Sequence, residues 1–302
     1  MKILLLGKNG QVGWELQRAL QPLGDVLALD RQIHPTLGLS GDIANFNDIA
    51  DVFTQYQPNI VVNASAYTAV DRAETEQQQA DLINHLAVKH LAVQAKKYNA
   101  LLIHYSTDYV FSGQGTTAWS ETDATAPNNV YGHSKRAGEI ALEQTDVAFL
   151  NFRTSWVYGT HGHNFIKTML KLAAMKEELG IIADQIGAPT SAALIADVTA
   201  QAIRYYVLNP SLQTSLLGHY HLAPQGETSW FDYAQFIFAT AERLGEQHML
   251  KKVNAINTES YPTPAIRPLN SRLNTEKLTH NFKIHLPTWQ QGVAHTLGEI
   301  LS

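Results

Sequence analysis

The chain has 302 residues, with 22 lysines and arginines against 27 aspartates and glutamates, a formal charge of −5 and no cysteine. The absence of a basic excess argues against a nucleic-acid surface. The absence of cysteine excludes disulfides, thiolate metal centres and a cysteine nucleophile, and suits a reducing, cytoplasmic setting.

The opening MKILLLGKNG has one lysine and an apolar run cut short by glycine. It is too short for a signal-peptide core or a membrane span, so no membrane association is expected and the run reads as a buried first strand. Further apolar runs without alternation, typical of parallel strands covered on both faces, follow at 26–30 (VLALD), 59–65 (NIVVNAS), 100–107 (ALLIHYST) and 147–159 (VAFLNFRTSWVYG). Amphipathic stretches at 11–21, 47–56 and 79–98 separate them as helices. After Gly159 the pattern loosens into a loop and helix at 161–180, an excursion at 184–192, a helix at 193–208 and a late strand at 218–224. A helix at 230–244, a proline-rich loop at 261–268 and a last helix after Pro287 complete the chain. No repeat or low-complexity tract interrupts it. The alternation predicts an α/β fold: a Rossmann-type doubly wound parallel sheet with a smaller, discontinuous C-terminal substrate lobe. The predicted nucleotide domain spans 1–159 and 187–224; the substrate lobe spans 160–186 and 225–302.

In GKNGQVG, Gly7 permits a tight turn, Gly10 lets the backbone approach a pyrophosphate, and Gly13 allows a helix to pack closely on a strand. The turn follows a strand and opens a helix, the context that a dinucleotide fingerprint requires. Asp30, at the end of the second strand, can accept from a ribose 2′-hydroxyl. Arg31 beside it can bind a 2′-phosphate instead, so NADH and NADPH both remain open. Gly41 and Asp42, on the loop after a short third strand, are candidates for the adenine amino group, or else an ordinary turn or helix cap.

Tyr131 and Lys135 stand four residues apart near the start of a predicted helix, on one face. A free tyrosine titrates near pH ~10, so to protonate a nascent alkoxide at neutral pH it needs a nearby cation, which Lys135 can supply while holding the cofactor ribose. One strand earlier, Ser106, Thr107 and Asp108 fall at a strand's C-terminal end, the ligand edge of such sheets. A hydroxyl there can polarise a substrate carbonyl. With the glycine turn, this is nicotinamide chemistry on a carbonyl. The His161/His163 and His219/His221 pairs lack an evident third ligand, so no metal site is assigned. Asp71, Glu74 and Glu76 crowd a helix start, where carboxylates meet the helix dipole favourably. Asn164, Lys167, Arg267 and Arg272 are candidates for a substrate diphosphate.

GKNGQVG, NASAYTAVDRAE, HYSTDYVFSG, NVYGHSKRAGE, NFRTSWVYG, DQIGAPT and RPLNSRLN, in this order, resemble the dTDP-4-dehydrorhamnose reductase family of the extended short-chain dehydrogenase/reductase superfamily over nearly the whole chain. The resemblance implies reduction of a dTDP-4-keto sugar in the last step of activated rhamnose synthesis. Tyr131 would be the proton donor, Lys135 its cofactor-bound partner, and Thr107 the hydroxyl that is usually serine in the superfamily. Thr107, Asp108 and Trp156 would face the sugar. Gly10, Gln11, Val12, Asp30, Asp42, Ile43, Ala66, Tyr67, Thr68 and Tyr105 fall where the family contacts the dinucleotide. The family is associated with homodimers and with magnesium, for which no ligand spacing here locates a site. The helix reads YGHSKRAGE where relatives commonly carry YGKTKLAGE, and the tyrosine and lysine survive. Two other readings share these motifs. One is a nucleotide-binding regulatory subunit like that of methionine adenosyltransferase; the other is an epimerase or dehydratase on another nucleotide sugar. The intact Thr107, Tyr131 and Lys135 favour chemistry over pure binding, and a dehydratase's acid and base pair is incomplete because Tyr109 follows Asp108.

Overall fold

The apolar run KILLL forms β1 (Lys2–Leu6), and its side chains divide between two cores. Successive strand residues point to opposite faces. Ile3 and Leu5 therefore meet the helices Gln11–Leu20 and Ala192–Leu208, while Leu4 and Leu6 meet Phe46–Tyr56, Ala87–Lys97 and Val130–Thr145. The computed structural model describes all residues, Met1–Ser302. β2 (Asp25–Leu29), β3 (Ile60–Asn63), β4 (Leu101–Thr107), β5 (Phe149–Thr154) and an outer strand, Gly218–His221, complete the six-stranded sheet. Every pairing in it is parallel, in the order outer strand, β5, β4, β3, β1, β2. β1 thus lies between β2 and β3, and the crevice at the carboxyl ends of β1 and β3 is where such sheets bind ligands.

The short third strand expected before Gly41 does not form. Ile33 and Ser40 make one antiparallel bridge instead, and β2 is the sheet edge. Between them Pro35 removes a donor and Gly38 adopts φ +63°, turning the chain back before a ladder can start.

A third core unites the helices Phe165–Ala173, Trp230–Arg243 and Trp289–Leu301 with the parallel pair Glu178–Ile182 and Lys252–Ile256. The run 161–180 is therefore not loop and helix alone: the helix stops at Ala173 and a strand begins at Glu178. Within 225–302, Leu278, Phe282, Ile284 and Leu286 pack into the first core rather than into this lobe. No helix is long and apolar enough to cross a membrane.

Candidate active site

The glycine turn is built by steric necessity. Gly7 sits at φ +85°, and a Cβ on Gly13 would lie 2.0 Å from the Gly7 carbonyl oxygen, so only glycine lets the helix close on the turn. A Cβ on Gly10 would meet nothing nearer than that oxygen, at 3.5 Å. The space in front of Gly10 is open, and no side chain caps the helix that follows, which leaves a helix start able to take an anion. Here lies a cleft of about 440 Å³ lined by Gly7, Gly10, Asp30, Arg31, Asp42, Ile43, Ala66 and Tyr67. Its open glycine turn and the Asp30 and Arg31 side chains suit the adenosine end of a dinucleotide, whereas Thr107, Tyr131 and Lys135 lie outside its lining.

Asp30 accepts from Gln32 N at 2.8 Å and from Asn9 Nδ2, and Lys8 Nζ stands 3.7 Å away. Lys8 and Asn9 escaped the sequence reading because they occupy the unspecified places between the glycines. Asn84 escaped it too. A π-helical turn, Leu82–Leu86, buries this amide so that it accepts from Tyr67 N at 2.9 Å and donates to Tyr67 O at 3.0 Å, fixing the cleft wall. Such turns recur at functional sites. Gln11, Val12, Gly13, Thr68 and Tyr105 do not line this cleft. Gln11 Oε1 accepts from Asn164 Nδ2, Val12 packs on the first core, and Thr68 is exposed. The Tyr105 phenol pairs with Thr199 at 2.8 Å, so this residue turns only its carbonyl toward Lys135.

Asn129 caps the helix Val130–Thr145 by accepting from Gly132 N at 2.8 Å. One turn in, Tyr131 and Lys135 are both buried, at 9 % and 2 % exposure. Lys135 Nζ donates to Tyr105 O at 2.6 Å and lies 3.4 Å from His104 Nε2. Burial pulls the ammonium down to about 8. Burial, then the Asp108 charge, pushes the Tyr131 phenol well above its ordinary range, while the neighbouring Thr107 hydroxyl works the other way. Thr107 Oγ1 donates to Asp108 Oδ1 at 3.0 Å and accepts from Tyr109 N at 3.2 Å. The Tyr109 ring stands edge-on to Tyr131, 5.5 Å between centroids.

Beyond Tyr109 opens a second cleft of about 670 Å³, lined among others by Asp71, Trp156, Trp230, Arg267 and Ser271. Trp156 stacks on Trp230 at 3.7 Å and holds a left-handed backbone, φ +49°, rare for a bulky residue and characteristic of functional sites. Gly187 makes room for it, since a Cβ there would come within 2.9 Å of the indole. Arg267 donates to Tyr109 OH at 3.2 Å and to Asp71 Oδ2 at 2.6 Å. Of the four candidates for a diphosphate, Arg267 alone lines this cleft. Asn164 caps the helix Phe165–Ala173 and donates to Gly159 O at 2.7 Å. Lys167 Nζ donates to the carbonyls of Thr160 and Gly162, and Arg272 is held by Glu227 and Asn270.

The carboxylates read as helix-dipole residues have specific partners. Asp71 binds Arg267, Glu74 Oε1 accepts from Val130 N at 3.0 Å at the start of the Tyr131 helix, and Glu76 accepts from Tyr67 OH at 2.7 Å. His161 stacks on Trp14, and His219 pairs with Asn151 and Glu143. No three histidine or acidic side chains converge to hold a cation.

The family model of the RmlD substrate binding domain matches residues 1–302. The chain is 53 % identical over 302 residues to the dTDP-4-dehydrorhamnose reductase of Shigella flexneri, covering 100 % of this chain and 99 % of that protein. Among solved structures, it superposes on the dTDP-4-dehydrorhamnose reductase of Bacillus anthracis str. Ames in complex with NADP with a TM-score of 0.85, at 34 % identity and 99 % coverage of both chains. A dTDP-4-dehydrorhamnose reductase from Clostridium acetobutylicum ATCC 824 gives 0.88 at 32 % identity over 100 % of both.

Proposed function

Because the chain belongs to the RmlD substrate binding domain family, whose similar members are dTDP-4-dehydrorhamnose reductases, we infer that it reduces the C4 keto group of dTDP-4-dehydro-β-L-rhamnose to give dTDP-β-L-rhamnose. It is an NAD(P)H-dependent oxidoreductase of the Rossmann type. The observation that carries the reading is the burial of Tyr131 and Lys135 one turn apart on the helix Val130–Thr145, with the Thr107 hydroxyl beside the Tyr131 phenol, in a fold that also opens a cleft at the glycine turn and a second one beyond Tyr109.

When bound, the reduced nicotinamide supplies the hydride that C4 receives. Tyr131 gives its phenolic proton to the C4 oxygen as negative charge builds there. Lys135, still an ammonium at pH 7 with its pKa near 8, stabilises the phenolate left behind and holds the cofactor ribose. Thr107 donates to the C4 oxygen and polarises the carbonyl. Trp156 lines the sugar, Asp108 stands buried behind Thr107 and outside the lining of the second cleft, and Arg267 meets the diphosphate. Gly7, Gly10, Asp30, Arg31, Asp42, Ile43, Ala66 and Tyr67 hold the cofactor. The acid and base pair of a dehydratase is incomplete, since Tyr109 follows Asp108, and its phenol is engaged by Arg267.

The resemblance also supports a homodimer in the cytoplasm; light scattering tests the assembly, and no residues here support a magnesium site. The decisive assay mixes purified protein with NADPH or NADH and the 4-keto sugar nucleotide, and follows loss of the reduced-nicotinamide absorbance. No loss with either cofactor would overturn the reading.

A further inference from the structure

The Thr107 hydroxyl has one proton, and it is committed. Oγ1 donates it to Asp108 Oδ1 at 3.0 Å and accepts from Tyr109 N at 3.2 Å. The reaction proposed above needs that proton at the C4 oxygen of the substrate. A hydroxyl donates once, and an ionised carboxylate can only accept, so Thr107 cannot polarise the carbonyl while it serves an ionised Asp108.

We propose that Asp108 works as a neutral carboxylic acid: its own proton is donated to Thr107 Oγ1, which turns the Thr107 proton toward the C4 oxygen, and the proton state of Asp108 thereby governs the reduction. The inference rests on the reductase reading. It satisfies Thr107 fully, because Oγ1 then accepts from Tyr109 N and from Asp108 with its two lone pairs and donates to the substrate. Asp108 is a positioning residue in this scheme and keeps its proton through the cycle. The hydride goes to C4, the Tyr131 proton goes to the oxygen, and the nicotinamide is left oxidised.

The surroundings of Asp108 favour the acid. The residue is 2 % exposed, and Oδ2 is buried without a partner, a costly condition for a charged oxygen. Facing it are neutral groups from each neighbouring element: Thr107 on β4, Tyr109 next in the chain, Tyr131 from the helix Val130–Thr145, and Ser271 from the C-terminal segment. The cations nearby serve other partners, Arg267 on Tyr109 and Asp71, and Lys135 on the Tyr105 carbonyl. Burial raises the carboxyl to about 6, outweighing hydrogen bonds from Ser271, Thr107 and the backbone of Asp108 and Tyr109 that pull it down. A diphosphate substrate that fills the second cleft removes water and adds negative charge, and both raise it further. Neutralising Asp108 also relieves Tyr131, whose phenol the carboxylate charge pushes up.

The test compares wild type, Asp108→Asn and Asp108→Ala in single turnover across roughly pH 5–9. An asparagine amide donates to Thr107 at every pH, as the acid does, whereas alanine cannot. We expect the wild-type rate to fall as Asp108 ionises, the asparagine variant to lose that dependence, and its rate to exceed that of the alanine variant by about tenfold or more at the alkaline end. In a Thr107→Val background the asparagine and alanine variants should be equal. Isotope-edited infrared spectroscopy of the complex with NADP⁺ and dTDP should show a protonated-carboxyl band at neutral pH that Asp108→Asn removes, a readout independent of turnover. A wild-type enzyme that reduces the sugar but shows no such band, or an asparagine variant no faster than alanine, overturns this inference alone. A wild type that reduces nothing overturns the reductase reading as well.

Discussion

Lys135 Nζ and the carbonyl oxygen of Tyr105 are 2.6 Å apart, a hydrogen bond that ties the helix Val130–Thr145 to the end of β4 and so fixes Tyr131 against Thr107. The bond holds an ammonium where the protein barely tolerates one. The site thus places a strained charge where the reaction needs a cation, and stability should record the strain.

Lys135→Met should make the protein more stable and inactive. Burial lowers the lysine from 10.5 to about 8, so below pH 8 the folded state bears the full penalty, about 3 kcal/mol at ~1.4 per unit. The penalty fades as pH rises from 8 to 10.5, because the unfolded chain then keeps a proton that the folded one has lost. Methionine also forfeits the bond to Tyr105, worth about 1 kcal/mol. The net gain at pH 7 should be about 1–2 kcal/mol, read as a higher urea midpoint, with turnover lost. A lower midpoint would show that the lysine is not strained.

Gly10→Ala and Gly13→Ala should fail in different ways. The added methyl at Gly10 enters open space, so the melting temperature should hold while cofactor affinity drops as the pyrophosphate loses its approach. At Gly13 it would overlap the backbone of Gly7, so folding itself should suffer, by a few kcal/mol. Thermal melting beside cofactor titration separates the two. A Gly10→Ala protein that binds NADPH as wild type does would remove the glycine turn from the cofactor site.

The parts of the fold legible in the sequence are those whose burial leaves a one-dimensional trace. KILLL and LLIHYST announce buried strands because both of their faces are covered. The strand Lys252–Ile256 has no fully buried residue, and its sequence KVNAI therefore gives no period to read. The helix Glu276–Phe282 buries only Leu278 and Phe282, too few for a recognisable stripe. In the site, Tyr131 and Lys135 were legible because one helical turn joins them. Asn84 and His104 were not, since each acts through a residue 17 to 31 positions distant, on another element. Asn164 and Lys167 were ambiguous for a related reason: a polar side chain near a ligand edge looks the same in sequence as one that caps a helix, as Asn164 does, or one that binds loop carbonyls, as Lys167 does.

Cofactor choice should turn on Asp30 and its cation. Asp30→Ala should weaken NADH more than NADPH, because the carboxylate accepts from a free ribose hydroxyl and repels a 2′-phosphate. Lys8, 3.7 Å from that carboxylate, and Arg31 are placed to offset the repulsion, so Lys8→Ala and Arg31→Ala should weaken NADPH more. Dissociation constants for both cofactors would decide, and equal losses across all three variants would refute the assignment.

Glu139→Gln should expose how the Tyr131 helix is anchored to β5. Burial pushes Glu139 up, but the hydrogen bonds and charge of Arg153, at 2.8 Å to each carboxylate oxygen, outweigh it and hold the carboxyl at about 2. Since this folded value lies below the ordinary 4.5, the contribution is complete above about pH 4.5 and is lost as pH falls toward 2. The glutamine variant leaves the Arg153 guanidinium buried without a counter-charge, which should cost about 3–5 kcal/mol at pH 7. The gap from wild type should narrow by about 2 kcal/mol at pH 3. Chemical denaturation at the two pH values measures both, and a gap that widens in acid would mean that Glu139 is not held ionised.

Tyr131→Phe keeps the ring and its edge contact with Tyr109 and deletes the proposed proton donor. The phenol makes no hydrogen bond that the fold depends on, so the melting temperature should barely move. NADPH binding should survive, because the glycine turn and Lys135 remain. Turnover should fall by about 10²–10⁴, the usual worth of a positioned general acid. Thr107→Val should cost less, since it removes one polarising hydrogen bond and leaves the donor in place. It also removes the hydroxyl that restrains the Tyr131 phenol, so the pH at which its activity fails should shift. Single-turnover rates with the 4-keto sugar nucleotide, beside cofactor titrations, separate these effects. If the phenylalanine variant turned over at the wild-type rate, the proton would have to come from elsewhere, and the buried Tyr131 and Lys135 pair would lose its place in the reaction.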